Sequence, residues 1–366
     1  MNRARSAIAI ALVTAGALVS GQAAVPEIPY DSTPNFLKTP DDIYIGEAAG
    51  VATNSKGNVF VYTRTGGPSL TLGTERAFVR GNGAARLFEF DPSGKYIREI
   101  GQGLYGFVFA HAVRIDPQDN IWVVDEGSNM VIKFTPDARV AMTMGRKPEA
   151  LNVPGGPARE GGGGGREGGG GGRAGGGPVG AGVRGDNFNR PTDVAWDSAG
   201  NIFVADGYGN SRIAKFDKNG KFLMSWGSRG TAQGEFNTPH GIAVDAQNNV
   251  YVADRENNRI QVFDNNGMFK TQYTNVGRPN AICISSGPRQ YLYASNSNPS
   301  TNLENGEIYK LELDGRVLGR FGKAGHLMKE FGAVHGLDCR KANEILVGEN
   351  MNWRVQKLLL RPSVGS

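Results

Sequence analysis

The sequence predicts an all-β protein that folds as a six-bladed β-propeller. A pattern of about fifteen residues, in which apolar positions alternate around a polar turn, recurs six times in the 366 residues. The 54 glycines suit a chain with many tight turns. Four short strands in a repeat of about 40–50 residues are typical of a propeller blade. The six copies begin at Ala49, His111, Thr192, His240, Asn280 and His335.

The fourth repeat illustrates the strands expected in each blade. Ile242–Val244 and Val250–Asp254 are predicted to form a hairpin, because apolar residues alternate on both sides of a polar turn. A third strand is predicted at Arg259–Phe263, and a fourth at Met268–Tyr273 follows an Asn- and Gly-containing turn. The third strand recurs in other repeats at Met130–Phe134, Arg212–Phe216, Ile308–Leu311 and Arg354–Leu358.

The sixth repeat ends near Leu360, before a fourth strand. An open ring would leave exposed sheet edges, which promote aggregation. We therefore predict that the segment before Ala49, at Ile43–Ile45, supplies the missing strand and closes the ring.

Residues 1–24 have the pattern of a signal peptide. Arg3 and Arg5 precede an apolar stretch at Ala7–Val19, which is too short for a comfortable membrane span, and small residues mark a cleavage site near Ala23/Ala24. We expect an exported protein, periplasmic or secreted, whose residues 25–366 form the propeller and do not associate with a membrane.

One low-complexity segment interrupts the repeats at about residues 155–187, with glycine runs at Gly161–Gly165 and Gly168–Gly172. Its composition favours a disordered surface insertion. An RNA-binding interpretation of its arginines is the alternative, although aromatic residues are absent from its core. The net charge of +5 comes without a long basic run, so no nucleic-acid partner is expected.

The two cysteines, Cys283 and Cys339, lie in the first strands of repeats five and six. They follow the aligned position of their repeats by three and four residues, so their side chains should point to opposite sheet faces. This parity predicts two separate buried thiols.

Histidine occurs at the aligned position of every second repeat, and these residues account for three of the four histidines in the chain. In a closed ring, His111, His240 and His335 would face one axis and could share one metal ion. Three imidazoles without a fourth protein ligand match a catalytic zinc site. The alternative is that each histidine only hydrogen-bonds the backbone. His326 lies outside the pattern and is predicted to be a surface loop residue.

Three stretches closely resemble the peptidyl-α-hydroxyglycine α-amidating lyase family, whose members are six-bladed propellers with NHL-type repeats. They are PTDVAWDSAGNIFVADGYGNSRIAKF (Pro191–Phe216), GEFNTPHGIAV (Gly234–Val244) and VADRENNRIQVF (Val252–Phe263). A weaker resemblance extends from Gly50–Arg64 to Val334–Arg340. The DGYGNSRI block is the most specific part, because generic NHL repeats lack its tyrosine.

The resemblance implies a role for each matching residue. The zinc ligands of the family fall on His111, His240 and His335. Its catalytic tyrosine falls on Tyr208, and its active-site arginines fall on Arg64 and Arg255. From the residues alone, Tyr208 could equally be a rim aromatic, and the two arginines could belong to local ion pairs.

The resemblance also implies a structural calcium ion, bound in part by the backbone carbonyls of Val51 and Val113. The family has a carboxylate immediately after the third histidine, where this chain has Gly336. Animal members also carry disulfides that this chain lacks, since Gly209 and Tyr251 stand at the cysteine positions.

The function implied is that of a zinc-dependent carbon–nitrogen lyase, which cleaves the N–C bond of an α-hydroxyglycine-type substrate to an amide and glyoxylate. We expect a monomer that acts on a small-molecule or peptide substrate. One alternative is a non-catalytic propeller that serves as an interaction scaffold. Another is a metal-dependent hydrolase or lactonase, although such propellers usually bind calcium through carboxylates and Asn.

Overall fold

The computed structural model describes residues 25–65, 69–72, 75–78, 85–146, 185–297, 303 and 305–361. Within these residues, six antiparallel four-stranded sheets form the blades. The first strand of each blade contacts the first strands of its two neighbours, so these inner strands form a closed ring around a channel. The predicted all-β six-bladed propeller is confirmed.

The strands in chain order are β1 (Tyr30–Thr33), β2 (Glu47–Thr53), β3 (Val59–Arg64), β4 (Ser69–Leu72), β5 (Glu75–Phe78), β6 (Ala85–Phe90), β7 (Tyr96–Ile100), β8 (Ala110–Ile115), β9 (Ile121–Asp125), β10 (Met130–Phe134), β11 (Val140–Gly145), β12 (Asp193–Trp196), β13 (Ile202–Asp206), β14 (Arg212–Phe216), β15 (Phe222–Trp226), β16 (Pro239–Val244), β17 (Val250–Asp254), β18 (Arg259–Phe263), β19 (Phe269–Tyr273), β20 (Pro279–Ile284), β21 (Leu292–Asn296), β22 (Ile308–Leu311), β23 (Val317–Phe321), β24 (Lys323–Ala324), β25 (Glu330–Phe331), β26 (Val334–Lys341), β27 (Glu344–Glu349) and β28 (Arg354–Leu360). The described residues also include two single helical turns, α1 (Gly207–Asn210) and a 3₁₀ turn at Arg255–Asn257.

Blades 1 to 5 are built from strands that follow one another in the chain. Blade 1 is β2-β3-β6-β7, blade 2 is β8-β9-β10-β11, blade 3 is β12-β13-β14-β15, blade 4 is β16-β17-β18-β19 and blade 5 is β20-β21-β22-β23. Small two-stranded ribbons, β4-β5 and β24-β25, lie outside the blades.

Blade 6 closes the ring by joining both ends of the chain. Its strands are β26, β27, β28 and β1, and β1 pairs antiparallel with β28, from Tyr30 opposite Leu360 to Thr33 opposite Lys357. The predicted closing strand at Ile43–Ile45 was therefore wrong. Those two isoleucines instead pack, partly buried, on the apolar cluster between blades 6 and 1. β1 lies at the outer edge of blade 6, whereas β2 is the inner strand of blade 1. The chain needs the residues between Thr33 and Glu47 to connect these two positions, so the closing strand lies earlier than Ile43–Ile45.

The turn between the first two strands of several blades is fixed by one aspartate. In blade 2, Asp116 accepts hydrogen bonds from the backbone N–H groups of Gln118 (3.0 Å) and Asn120 (2.9 Å). Asp197 and Asp245 make the same contacts in blades 3 and 4. Such Asx turns explain why the sequence repeats an Asp at this position.

The core lies between neighbouring blades. Several middle strands are buried along their whole length, namely β9, β13, β14, β17 and β18. They are buried because the two faces of each blade pack on the two neighbouring blades. Between blades 1 and 2, for example, Tyr62, Leu87, Val123 and Phe134 form one cluster. Each fully buried side chain of this kind contributes about 1.5–3 kcal/mol.

Cys283 of β20 and Cys339 of β26 form a disulfide, with their Cα atoms 6.0 Å apart. The prediction of two separate thiols was therefore wrong. The two side chains do leave opposite faces of their own sheets, because both enter the apolar cluster between blades 5 and 6. Opposite faces meet, however, where blade 5 packs on blade 6, so opposite parity brings the two sulfurs together.

The predicted signal peptide (residues 1–24) and most of the predicted insertion (155–184) lie outside the described residues. Among the residues that the structure describes, helices long and apolar enough to cross a membrane are absent. His326 is exposed, as predicted, and contacts Asn352.

Candidate metal centre

The three histidines of the even-numbered blades meet at the axis. His111, His240 and His335 lie in β8, β16 and β26, each at a shift of strand register, where a β-bulge re-aims a side chain. Their ring centroids are 4.6, 4.6 and 4.9 Å apart, and one ring nitrogen of each lies within 4.8 Å of the others. His111 and His240 are only 2% exposed.

The other ring nitrogen of each histidine is held by the next blade. Nδ1 of His111 lies 2.5 Å from the carbonyl oxygen of Thr192, and Nδ1 of His240 lies 2.8 Å from that of Asn280. Nδ1 of His335 lies 2.7 Å from the carbonyl oxygen of Ala49. A carbonyl only accepts, so each Nδ1 must carry the proton, which leaves the Nε2 lone pairs facing the axis.

These carbonyls explain why only alternate repeats have histidine. Thr192, Asn280 and Ala49 occupy the aligned position in the odd-numbered blades, next to the three histidines. They contribute a backbone oxygen, which any residue has. The contact to histidine therefore does not require a particular side chain in blades 1, 3 and 5, although the hydroxyl of Thr192 and the amide of Asn280 make further hydrogen bonds to neighbouring blades.

All three imidazoles are held neutral. Removal from water is the largest cause that lowers the pKa of His111, His240 and His335 well below their usual range. The charge of Arg64 adds to this effect at His111, and the charge of Arg255 adds to it at His240. Neutral imidazoles are the form that binds a metal ion, so the donor set fits a divalent transition metal.

An acidic residue fourteen positions after each histidine anchors the approach to the inner strand. In blade 2, the buried Asp125 accepts hydrogen bonds from the backbone N–H groups of Val108 (2.8 Å) and Phe109 (2.9 Å), just before His111. Asp254 and Glu349 do the same in blades 4 and 6. The fourteen-residue spacing is therefore structural, and it fixes where each histidine begins its strand.

Tyr208 lies directly against the cluster, on the single turn α1. Its hydroxyl oxygen is 3.2 Å from Nε2 of His240 and 3.4 Å from Nε2 of His111. Nη1 of Arg255 donates to the same oxygen at 3.3 Å. The structure therefore brings the predicted tyrosine to the metal-facing nitrogens rather than leaving it on an outer rim.

The two predicted arginines flank the site from different blades. Nε of Arg64 donates to the carbonyl oxygen of Ala110 (2.7 Å), its Nη1 contacts Glu47 (2.9 Å), and its guanidinium lies 3.9 Å from the ring centre of Phe109. Arg255 pairs with Glu256 at 2.9 Å. Both arginines make the local ion pairs considered from the sequence, and both also lie within electrostatic reach of the histidines.

Sequence reasoning missed a third guanidinium. Arg190 lies 4.5 Å above the ring of Tyr208, pairs with the buried Glu126 at 2.5 Å, and is one of the charges that lower the pKa of His111. Its side chain is 46% exposed, more than those of the other two site arginines, so it reaches toward the mouth. The sequence feature that could have indicated it is its position two residues before Thr192, the aligned position of the third repeat.

The residues implied as a calcium site do not fit that ion. Val51 and Val113 are buried and line the channel, but Gly336 offers no carboxylate. A Cβ atom at Gly336 would lie 2.9 Å from the backbone nitrogen of Val51, so β2 leaves no room for a side chain there. The guanidinium of Arg114, one residue after Val113, already occupies this part of the channel by binding Asp193. Without that carboxylate, and with a guanidinium nearby, this donor set does not fit the calcium site that the resemblance implies.

Comparisons with known proteins agree with the fold and its repeats. The NHL repeat model matches residues 188–216 and 236–263, in blades 3 and 4. Peptidyl-glycine alpha-amidating monooxygenase B of Xenopus laevis is 31% identical over 275 residues, which is 70% of this chain and 28% of that protein. Peptidyl-alpha-hydroxyglycine alpha-amidating lyase 1 of Drosophila melanogaster is 27% identical over 256 residues, or 64% of this chain and 41% of that protein.

Among solved structures, virginiamycin B lyase from Staphylococcus aureus aligns with a TM-score of 0.52 at 13% identity, covering 91% of this chain and 100% of that chain. At that identity the likeness shows the fold alone.

The repeats and the ring of sheets define the class of the protein, an NHL-repeat six-bladed β-propeller. Within that class, the chain is related to the peptidyl-α-hydroxyglycine α-amidating lyases, at 27–31% identity over most of its length. It spans 28% and 41% of the length of the two relatives named above, which is less than half of either protein.

Proposed function

We propose that the protein is an exported, zinc-dependent carbon–nitrogen lyase, which cleaves the N–C bond of an α-hydroxyglycine-type substrate to an amide and glyoxylate. One observation carries the proposal: three neutral imidazoles present Nε2 to a common point, and the Tyr208 hydroxyl lies 3.2–3.4 Å from two of them. A scaffold protein has no need for this constellation.

His111, His240 and His335 would hold the zinc ion, with a position left open for substrate as in catalytic zinc sites. The ion, when bound, would supply Lewis acidity that makes the substrate hydroxyl easier to deprotonate. The hydrogen bonds from Nδ1 to the next blade keep the three rings oriented, so binding a metal requires little rearrangement.

Tyr208 is proposed as the general base. As a phenolate, it would accept the proton of the substrate hydroxyl, and the O–H electron pair would become the C=O bond of glyoxylate. The C–N bond breaks, its electron pair goes to the amide nitrogen, and the phenol returns the proton to that nitrogen. The tyrosine is unchanged after one turnover, and no further reactant is required.

The three arginines around the site are proposed to orient the substrate. A carboxylate-bearing substrate is suited to guanidinium groups, which bind it through paired hydrogen bonds. Arg64 and Arg255 lie beside the metal centre, and Arg190 lies above the Tyr208 ring nearer to solvent. We propose that Arg64 or Arg255 binds the carboxylate next to the reacting carbon, while Arg190 contacts the substrate further out.

We also propose that the chain is exported and acts as a monomer, without a nucleic-acid or membrane partner. The Cys283–Cys339 disulfide supports export, because such bonds persist in oxidising compartments. Detection of the processed chain outside the cytoplasm, beginning near residue 25, would test this part independently of activity.

The decisive experiment measures zinc content and glyoxylate release on one preparation. N-Benzoyl-α-hydroxyglycine is offered to protein purified without added metal and to protein supplied with zinc. We expect one equivalent of zinc and the release of benzamide and glyoxylate. Bound zinc without glyoxylate from any hydroxyglycine substrate would remove the lyase assignment but keep the metal centre. Absence of stoichiometric metal after zinc is supplied would favour the scaffold interpretation.

A further inference from the structure

A buried arginine crosses the channel beyond the three histidines. Arg114 lies in β8, three residues after His111, and its Nε and Nη2 atoms bind the two carboxylate oxygens of Asp193 at 2.8 and 2.5 Å. Its Nη1 also donates to the carbonyl oxygen of Leu337 (3.1 Å), and Nη2 donates to that of Ile282 (3.2 Å). One guanidinium thus satisfies four acceptor contacts.

These contacts join most of the blades around the channel. Arg114 belongs to blade 2, Asp193 to blade 3, Ile282 to blade 5 and Leu337 to blade 6. The Asp193 carboxylate also accepts the backbone N–H of Ile242 in blade 4 at 3.1 Å. The pair therefore links five of the six inner strands at one level.

The guanidinium remains charged in this setting. Burial lowers the pKa of Arg114, but the charge and hydrogen bonds of Asp193 outweigh it and raise the pKa above its ordinary value. Among the described residues that line the channel, Asp193 is the one that carries a carboxylate. A second cation at this level would meet the positive charge of Arg114, and the Asp193 carboxylate is already paired with it.

A structural calcium ion in the channel would also link strands of different blades. Calcium takes six to eight oxygen ligands, with carboxylates prominent among them, and holds the elements that supply them together. Here Gly336 and the close approach of β2 remove the carboxylate expected after His335. The backbone oxygens of Ile282 and Leu337 and the Asp193 carboxylate serve Arg114 instead.

We propose that the Arg114 guanidinium is a built-in replacement for a channel calcium ion, so that this propeller holds its inner strands together without calcium. The proposal is independent of the lyase assignment, because it concerns the closure of the ring and not the chemistry at the histidines.

The test compares melting temperatures in calcium-depleted and calcium-supplemented buffer, with zinc supplied in both. The parent protein should melt at the same temperature in both and should contain no stoichiometric calcium. Arg114→Ala should melt lower by about 5 °C or more, because Asp193 loses its partner while still buried. Calcium should raise the melting temperature of Arg114→Ala, since the vacated position offers Asp193 and two carbonyls to a cation.

Arg212→Ala is the matched control. Arg212 is also buried and pairs with Asp206 at 3.0 Å, but both residues lie within blade 3 and outside the channel lining. This variant should lose stability without gaining a response to calcium. If Arg114→Ala does not fold, Arg114→Lys keeps a cation in the channel and should remain insensitive to calcium.

Four results would overturn the proposal. They are calcium bound to the parent, a parent-like melting temperature for Arg114→Ala, no response of a folded Arg114→Ala to calcium, and a calcium-stabilised Arg114→Lys.

Discussion

The channel holds two levels of polar side chains, one suited to binding a metal ion and one that links the blades to each other. At one end, His111, His240 and His335 each come from their own blade and are held by the backbone of the next one. Further along the same inner strands, Arg114 and Asp193 form one pair that reaches across the ring. The first level is a repeated arrangement that converges on a point, and the second is a single unrepeated contact.

The contrast between the two levels indicates that the histidines serve function, whereas the Arg114–Asp193 pair serves closure of the ring. The histidine level leaves its Nε2 atoms facing the axis, and the Tyr208 hydroxyl lies within hydrogen-bond distance of two of them. The arginine level is saturated by hydrogen bonds to Asp193 and two backbone carbonyls. Damage to the first level should therefore abolish metal binding with little effect on folding, whereas damage to the second should weaken the fold.

The largest effect is expected at the histidine level. Replacing His240 with Ala removes one of three metal ligands, so zinc affinity should fall by more than about 100-fold, the upper range for losing a group that only orients a ligand. Glyoxylate release should be lost with it, while the β-sheet circular dichroism is retained. Metal analysis and the glyoxylate assay measure both effects. His326→Ala is the control, and a His240→Ala protein with full zinc and turnover would contradict the proposed centre.

The disulfide should matter for stability more than for metal binding. It joins β20 to β26 beside Ile282 and Leu337, the two residues whose carbonyls bind Arg114. It closes a loop with a sequence separation of 56 residues, so the double variant Cys283→Ala/Cys339→Ala should lose about 4 kcal/mol of unfolding free energy. Denaturant unfolding measures this loss, and zinc content should stay at the parent level. Equal stability of parent and variant would show that the arginine level needs no covalent support.

A smaller effect on the free-energy scale is expected from the phenol. Tyr208→Phe removes one hydroxyl beside the metal-facing nitrogens, so turnover should fall by about 10²-fold or more if the phenol is the base. Zinc content and melting temperature should match those of the parent, since the three imidazoles and their carbonyl partners are untouched. Parent-like turnover by this variant would mean that another group serves as the base.

The glycine-rich insertion should have the smallest effect. It lies between β11 and β12, away from both channel levels in sequence, and its composition predicts a loop without a packed core. Deleting Gly155–Gly177 should leave melting temperature and turnover nearly unchanged, because loop closure costs only about 0.6 kcal/mol per doubling of loop length. A large loss of folded protein on deletion would show that this segment packs on the ring.

The features that recur along the chain could be predicted, whereas the features that occur once could not. The strand at Arg259–Phe263 is found where its alternation places it, and the histidine register correctly indicated a shared axis. Arg190 was missed because a half-exposed arginine has no pattern of its own. Its position over the Tyr208 ring depends on how blade 3 presents α1.

The sequence alone determined the number of blades, the succession of strands along each repeat and the three histidines, but not the strand that completes blade 6. These properties follow from local alternation and from a period repeated six times. Only the tertiary structure decided that Tyr30–Thr33 closes blade 6, that Cys283 meets Cys339, and that Arg114 fills the channel. Each of these contacts joins residues from different blades or from opposite ends of the chain. They form only when the ring closes, so the local alternation of apolar and polar residues does not predict them.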